Sequence, residues 1–408
     1  MPETAIKEMF AEFEAAARET FRPPGVPAAQ RRVRDRRRHR RGMLAGLAAL
    51  LLAGSAGGYA VAHRGDRSAP HPTPSGSPSP DGKLTEREVI LPGFPGRLRD
   101  LRFVDGRAGW ALLDTCPAPD PAAEGCRRTV ARTTDAGATW RSTNVPEIPP
   151  GFVQLLPRDG ERLTLMLDRR YLVTVDGGVT WTSHSGESPA EEILRTFSTP
   201  GGLRLGCPHA TGDIRGQMCR RWQVLRFDGR PLPHQPPVTV PPDSEGALLE
   251  GADGRLWLTL VERDQLTVVT SDDRGDSWRK IPPATGARRL TVSPDGREVW
   301  LVRTDRPNRV WRLVGDRWRP GPALPDDTSQ VTAVGAGALL VTSWYGGIGF
   351  VVDGRYVDIR ELRDLLRDDP EQHPDIAALP DGTVQVLYRN VRLLGTGRGA
   401  DRSWIAFS

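Results

Sequence analysis

Thr-Thr-Asp-Ala-Gly-Ala-Thr-Trp (Thr133 to Trp140), Thr-Val-Asp-Gly-Gly-Val-Thr-Trp (Thr174 to Trp181) and Ser-Asp-Asp-Arg-Gly-Asp-Ser-Trp (Ser271 to Trp278) are one phrase written three times in this 408-residue chain. The common pattern, Ser/Thr-x-Asp-x-Gly-x-Ser/Thr-Trp, describes a β-hairpin turn. The carboxylates of Asp135, Asp176 and Asp273 accept backbone N–H groups across the turn. Gly137, Gly178 and Gly275 take a backbone conformation that side chains disfavour. The second hydroxyl ties the exit, and Trp140, Trp181 and Trp278 open the next strand and pack beneath the turn. A hairpin that recurs in this way predicts a repeat architecture.

Weaker hairpins fill the gaps, at Asp228, Asp316, Asp353 and Asp401. Successive Asp positions from Asp135 to Asp401 are 41, 52, 45, 43, 37 and 48 residues apart. That spacing predicts an all-β, seven-bladed β-propeller of four-stranded antiparallel blades, with eight or six blades as alternative counts. A Gly-bearing turn followed by a strand with a central aromatic supports it: Trp110, Trp257, Trp300, Trp344 and Tyr388 mark expected second strands. In the second and third blades, Arg162–Asp168 and Gly202–Cys207 take that place without the aromatic. The C-terminal Ser403–Ser408 is expected to pair beside the segment around Glu86, joining the two ends without an open edge. Helix is expected only at Glu361–Asp369.

Ahead of the propeller (85–408) the chain has three further regions. Residues 1–42 hold 11 Lys+Arg against 6 Asp+Glu, including eight arginines between Arg31 and Arg41. They also place Ile6, Phe10, Phe13, Ala17 and Phe21 at helical spacing. Residues 43–62 carry no charge and are long enough for about 30 Å of hydrocarbon, which predicts a transmembrane helix. By the positive-inside rule the N-terminus stays cytoplasmic and the propeller is extracellular, on the cell membrane. The Ala60-Val61-Ala62 sequence keeps a cleaved signal peptide open as the alternative. Residues 63–84 are a Pro/Ser-rich linker. Beyond residue 42 basic and acidic side chains balance, so no nucleic-acid surface is expected. Arg outnumbers Lys by 53 to 3, the bias of a GC-rich genome such as an actinomycete's.

Four cysteines follow the apolar segment, and an exported domain favours disulfides. Local pairing, Cys116 with Cys126 and Cys207 with Cys219, is the simplest of three connectivities. Both pairs fall between second and third strands, on the face opposite the three box turns. The stapled loops make Arg127, Arg128, His209, Arg220, Arg221, Trp222, Trp344 and Tyr345 the candidate binding residues. No metal site and no cofactor is expected: there is no Cys-x-x-Cys, no paired His and no phosphate-binding loop.

The three phrases resemble the Asp-box (BNR) repeats of sialidase-type and sortilin-type propellers. Asp100–Asp114 followed by Arg132–Trp140 is similar to the opening repeat of photosystem II assembly-factor propellers. The resemblance implies that the box is a structural turn between third and fourth strands, remote from any reaction centre. Sialidases also use an arginine triad, a Tyr nucleophile with its Glu, an Asp acid/base and an Arg-Ile-Pro segment. Here Lys280-Ile281-Pro282 replaces that segment, and Tyr345 is the one loop tyrosine. The expectation is a non-catalytic recognition or assembly module for an envelope protein, peptide or glycan. An exo-α-sialidase-like hydrolase and a purely structural envelope protein are the alternatives.

Overall fold

The structure is a computed structural model that describes residues 84–116, 126–149, 151–168, 170–185, 191–207, 221–241, 245–262, 265–305, 307–344, 347–365, 374–388 and 391–408. Residues 1–83, read above as a cytoplasmic segment, a transmembrane helix and most of a linker, lie outside the described residues. Leu84, assigned above to the linker, already belongs to a strand. Among the described residues no helix is long and apolar enough to cross a membrane.

The described residues form seven sheets: five of four strands, one of two and one of five. The first shows how a sheet is built. Arg97–Phe103, Gly109–Asp114, Arg128–Thr133 and Arg141–Ser142 pair antiparallel in chain order. Its second strand, Gly-Trp-Ala-Leu-Leu-Asp, is buried at every position. Such a strand has a neighbouring sheet on each face, which is why it reads as a continuous apolar run. The other four-stranded sheets span Val153–Ser185, Glu245–Ile281, Arg289–Pro320 and Thr328–Asp358.

Apart from the second and third, consecutive sheets pack directly on one another. Trp110, Leu112 and Val130 of the first meet Leu155, Leu163, Leu165 and Leu172 of the second. Trp257 and Val268 of the fourth meet Leu290 and Leu301 of the fifth. Trp300 and Val302 of the fifth meet Val331 and Leu339 of the sixth, and Phe350 of the sixth meets Val386 and Trp404 of the seventh. Leu394, Ile405 and Phe407 of the seventh return to Leu101, Phe103 and Trp140 of the first. Four-stranded antiparallel sheets stacked face to face until the last meets the first make the pattern of a β-propeller.

Closure takes two forms. Leu84–Arg87 adds a fifth strand, parallel, to the outer edge of the last sheet, in the register Leu84 with Trp404 and Arg87 with Phe407. Val89 N–H then donates to the Ser408 carbonyl at 3.0 Å. On the inner strands, the buried Gln385 accepts the Phe103 N–H at 3.0 Å and donates to the Leu101 carbonyl at 2.7 Å. The expectation that the two ends pair is met by the first of these contacts.

The third sheet departs from expectation. It has two strands, Leu203–Gly206 and Gln223–Arg226, where four were predicted. Ahead of them stands an unforeseen helix, Glu191–Thr196. Ile193 on it is buried against Tyr171 and Val173 of the second sheet. Arg195 lies 3.7 Å from the centre of the Phe227 ring, just past the third sheet's last strand. A helix therefore links these two sheets where a strand was expected. The predicted helix near Glu361 is found as Arg360–Leu365.

Trp344 is the other correction. It sits just past the second strand of the sixth sheet, Ala338–Ser343, and is 45% exposed. Trp110, Trp257, Trp300 and Tyr388 are buried in second strands as predicted.

Candidate functional site

The three box turns share one hydrogen-bond pattern. In the first, Thr133 Oγ1 donates to Asp135 Oδ1 (2.8 Å), Gly137 N–H to Thr133 Oγ1 (3.0 Å), and Thr139 N–H and Oγ1 to the Asp135 carboxylate (2.9 and 2.6 Å). Thr174, Asp176, Gly178 and Thr180 repeat it, with Thr180 Oγ1 at 2.5 Å from Asp176 Oδ2. So do Ser271, Asp273, Gly275 and Ser277. Gly137, Gly178 and Gly275 have φ of 77°, 87° and 98°, and a Cβ on Gly137 would run into the Phe407 ring. Hydrogen bonds from the Thr139, Thr180 and Ser277 hydroxyls and amides hold Asp135, Asp176 and Asp273 down to about 2. Both oxygens of each carboxylate accept hydrogen bonds from groups inside the turn. Trp140 is buried, while Trp181 and Trp278 are half-buried.

In an up-and-down sheet, turns between second and third strands share one end with the connectors to the next sheet. The box turns lie at the other end. At the first of these ends, Cys116 and Cys126 form the expected disulfide, between the strands Gly109–Asp114 and Arg128–Thr133. Arg97 Nη2 donates to the Cys116 carbonyl at 2.7 Å and fixes the staple to the first strand. Cys207 is also disulfide-bonded, while Cys219 lies outside the described residues. The ligand-type atoms of Asp114, Cys116 and Cys126 lie within 4.8 Å of one another, but both sulfurs are committed to the disulfide. That cluster offers a metal one carboxylate, and the carboxylate already pairs with Arg99.

Beside the staple is a pocket of about 420 Å³. One wall is Leu91–Phe94, a tight turn closed by Phe94 N–H to the Leu91 carbonyl at 3.1 Å. The opposite wall is Glu147 and Ile148, in the connector to the second sheet, and Cys126, Arg127 and Arg128 form the rim. Arg127 reaches over the Phe94 ring, 5.6 Å from its centre. Arg128 donates from Nη1 to the Pro149 and Gly151 carbonyls at 2.8 and 3.0 Å, so it braces the connector. Burial lowers its pKa, with Asp114 opposing and Arg99 assisting. Phe152, next to that connector, is exposed.

The structure therefore brings two of the predicted binding residues, Arg127 and Arg128, into one pocket. Arg221 is exposed at the start of the third sheet's last strand, and Trp222 is half-buried against Val240 and Leu258. Trp344 belongs to the sixth sheet. Of the described candidates, Arg127 and Arg128 alone line this pocket; His209, Arg220 and Tyr345 lie outside the described residues. Leu91, Phe94, Glu147 and Ile148 were not identified from sequence. The Pro-Gly-Phe-Pro-Gly run at Pro92–Gly96 was the available signal, a rigid turn carrying one aromatic directly before the first strand. The tyrosines in strands pack as expected: Tyr171 and Tyr388 are buried.

No protein-family model matches the chain, and no curated protein does. Solved structures do resemble it. YCF48 bound to D1 peptide is 14% identical with a TM-score of 0.40, covering 73% of this chain and 92% of that one. Apo AztD from Citrobacter koseri is 13% identical at 0.38, covering 76% and 89%. An ancestral GH74 enzyme is 13% identical at 0.40, covering 78% of this chain and 47% of its own. What makes this chain a propeller is its own stack of sheets.

Proposed function

We propose that the chain is a membrane-anchored, extracytoplasmic, seven-bladed Asp-box propeller whose stapled face recognises an envelope protein, peptide or glycan without turning it over. The pocket beside Cys126 carries this reading. It joins three segments distant in sequence (the N-terminal turn, the stapled hairpin and an inter-sheet connector) into one concave, part-apolar surface with a stacked arginine at its mouth. Its apolar side chains, Leu91, Phe94 and Ile148, stand beside the charged Arg127, Arg128 and Glu147, which can fix a ligand's orientation. The staple, the Arg97 contact and the Arg128 bridge hold its walls before any ligand arrives, which lowers the ordering cost of binding. Seven sheets stacked in succession and closed across Gln385 support the blade count. The uncharged 43–62 segment behind eight arginines supports the anchor.

The test is capture of envelope components by the full chain, compared with a Phe94→Ala/Arg127→Glu variant. A component retained by the first and lost by the second is the expected result. Turnover of a fluorogenic sialoside, or capture indifferent to both substitutions, would refute the proposal.

A further inference from the structure

A second cavity, of about 320 Å³, lies at the other end of the molecule's strands, where the fourth and fifth sheets meet. Its walls hold Arg255, Arg279 and Arg297 around Leu313 and Asp316. Repeated turn chemistry places two of them. Asp253-Gly254-Arg255 and Asp295-Gly296-Arg297 are the same turn in consecutive sheets, each with the Asp Oδ1 accepting the arginine N–H at 3.1 Å. Arg279 comes from the strand Arg279–Ile281, one residue past the third box phrase.

Two carboxylates order these cations. Arg255 Nε lies 2.6 Å from Asp272 Oδ1, Arg279 Nη2 lies 3.2 Å from Asp272 Oδ2, and Arg279 Nη1 lies 2.5 Å from Asp316 Oδ1. The chain Arg255–Asp272–Arg279–Asp316 is neutral and holds its own geometry. Arg297 adds a further charge: it is exposed, and among the described residues no carboxylate lies within ion-pair distance of it, while Asp295, two residues before it, feels its field more weakly. The seam between the first and second sheets shows the contrast, because there Arg132 meets Glu161 one to one and the charges cancel.

We infer that this cavity, lined by three arginines against one carboxylate, is a binding site for a single oxyanion, a phosphate or a carboxylate group, with Arg297 as the arginine that no close ion pair engages. Arginine suits this role because its planar fork donates in pairs to such groups and stays charged. The preformed Arg279–Asp316 pair spares the site the cost of ordering a long side chain on binding. The site is separate from the stapled face, so neither proposal depends on the other.

Titration of the purified full chain with inorganic phosphate and, separately, glucuronate, at low ionic strength where such contacts are least screened, tests it. Saturable binding of either is expected, and whichever binds identifies the anion as phosphate or carboxylate. Arg297→Ala weakens it about ten-fold or more, the value of a hydrogen bond to a charged group. Arg317→Ala, exposed on the same sheet, leaves it unchanged. Absence of saturable binding by both anions, or equal loss in the Arg297 and Arg317 variants, overturns the inference.

Discussion

Replacing Gln385 with methionine tests whether the stack of sheets closes. Gln385 lies on the second strand of the last sheet, and its amide spans to the first strand of the first sheet, satisfying Phe103 N–H and Leu101 C=O. All three residues are at most 3% exposed, so no solvent replaces the lost partners. Methionine keeps the bulk and flexibility of glutamine but neither donates nor accepts well. Leaving two backbone groups unpaired costs about 1–3 kcal/mol each, hence about 2–6 kcal/mol for the seam. The direct readout is hydrogen exchange at the Phe103 amide. A local loss of about 2 kcal/mol accelerates exchange on the order of 30-fold. The effect should spread to the Leu101 and Val386 amides and leave the fourth and fifth sheets alone. Unchanged protection at Phe103 would mean that the first and last sheets do not meet as described, and the assignment of turns to two faces would fall with it.

Four further outcomes follow from the same geometry. Trp257→Ala, at a fully buried position, should cost about 3–5 kcal/mol in denaturant unfolding, while Trp344→Ala, at a position 45% exposed, should cost less. Asp135, Asp176 and Asp273 sit at about 2 in the fold, below their ordinary 3.8, so their stabilisation is complete above pH 4 and lost as pH falls toward 2. Replacing all three by Asn should flatten that window in an acid-unfolding curve; an unchanged curve would contradict it. Removing the Cys116–Cys126 bridge by double serine substitution should cost about 2–3 kcal/mol for its short loop and raise exchange at Arg127 and Arg128. Ile193→Ala on the helix Glu191–Thr196 should cost about 2–5 kcal/mol, showing that the helix seals the seam between the second and third sheets.

The box turns were legible because they are closed systems. The hydrogen bonds that tie Thr133, Asp135, Gly137 and Thr139 into the turn run within six residues, so their order in the chain is their turn. The same holds for second strands such as Gly109–Asp114, whose unbroken apolar run reports burial on both faces. The third sheet was not legible at this level. A helix stands ahead of its strands because Ile193 and Arg195 find Tyr171 and Phe227, partners 22 and 32 residues away. Trp344 was misplaced for a related reason: aromatic and β-branched residues at a strand's end look alike whether the chain continues or turns.

Sequence alone settled the turns, their pacing and the apolar strands, all of which depend on neighbours along the chain, while the structure selected Cys116–Cys126 from the three connectivities left open. Only the tertiary structure decided that Leu91, Arg127 and Glu147 share one cavity, and that Arg255, Arg279 and Arg297 share another. Both cavities lie where separate segments meet. Side-chain contacts there are set by how one sheet twists and stacks on the next, a relation that no local pattern of residues encodes.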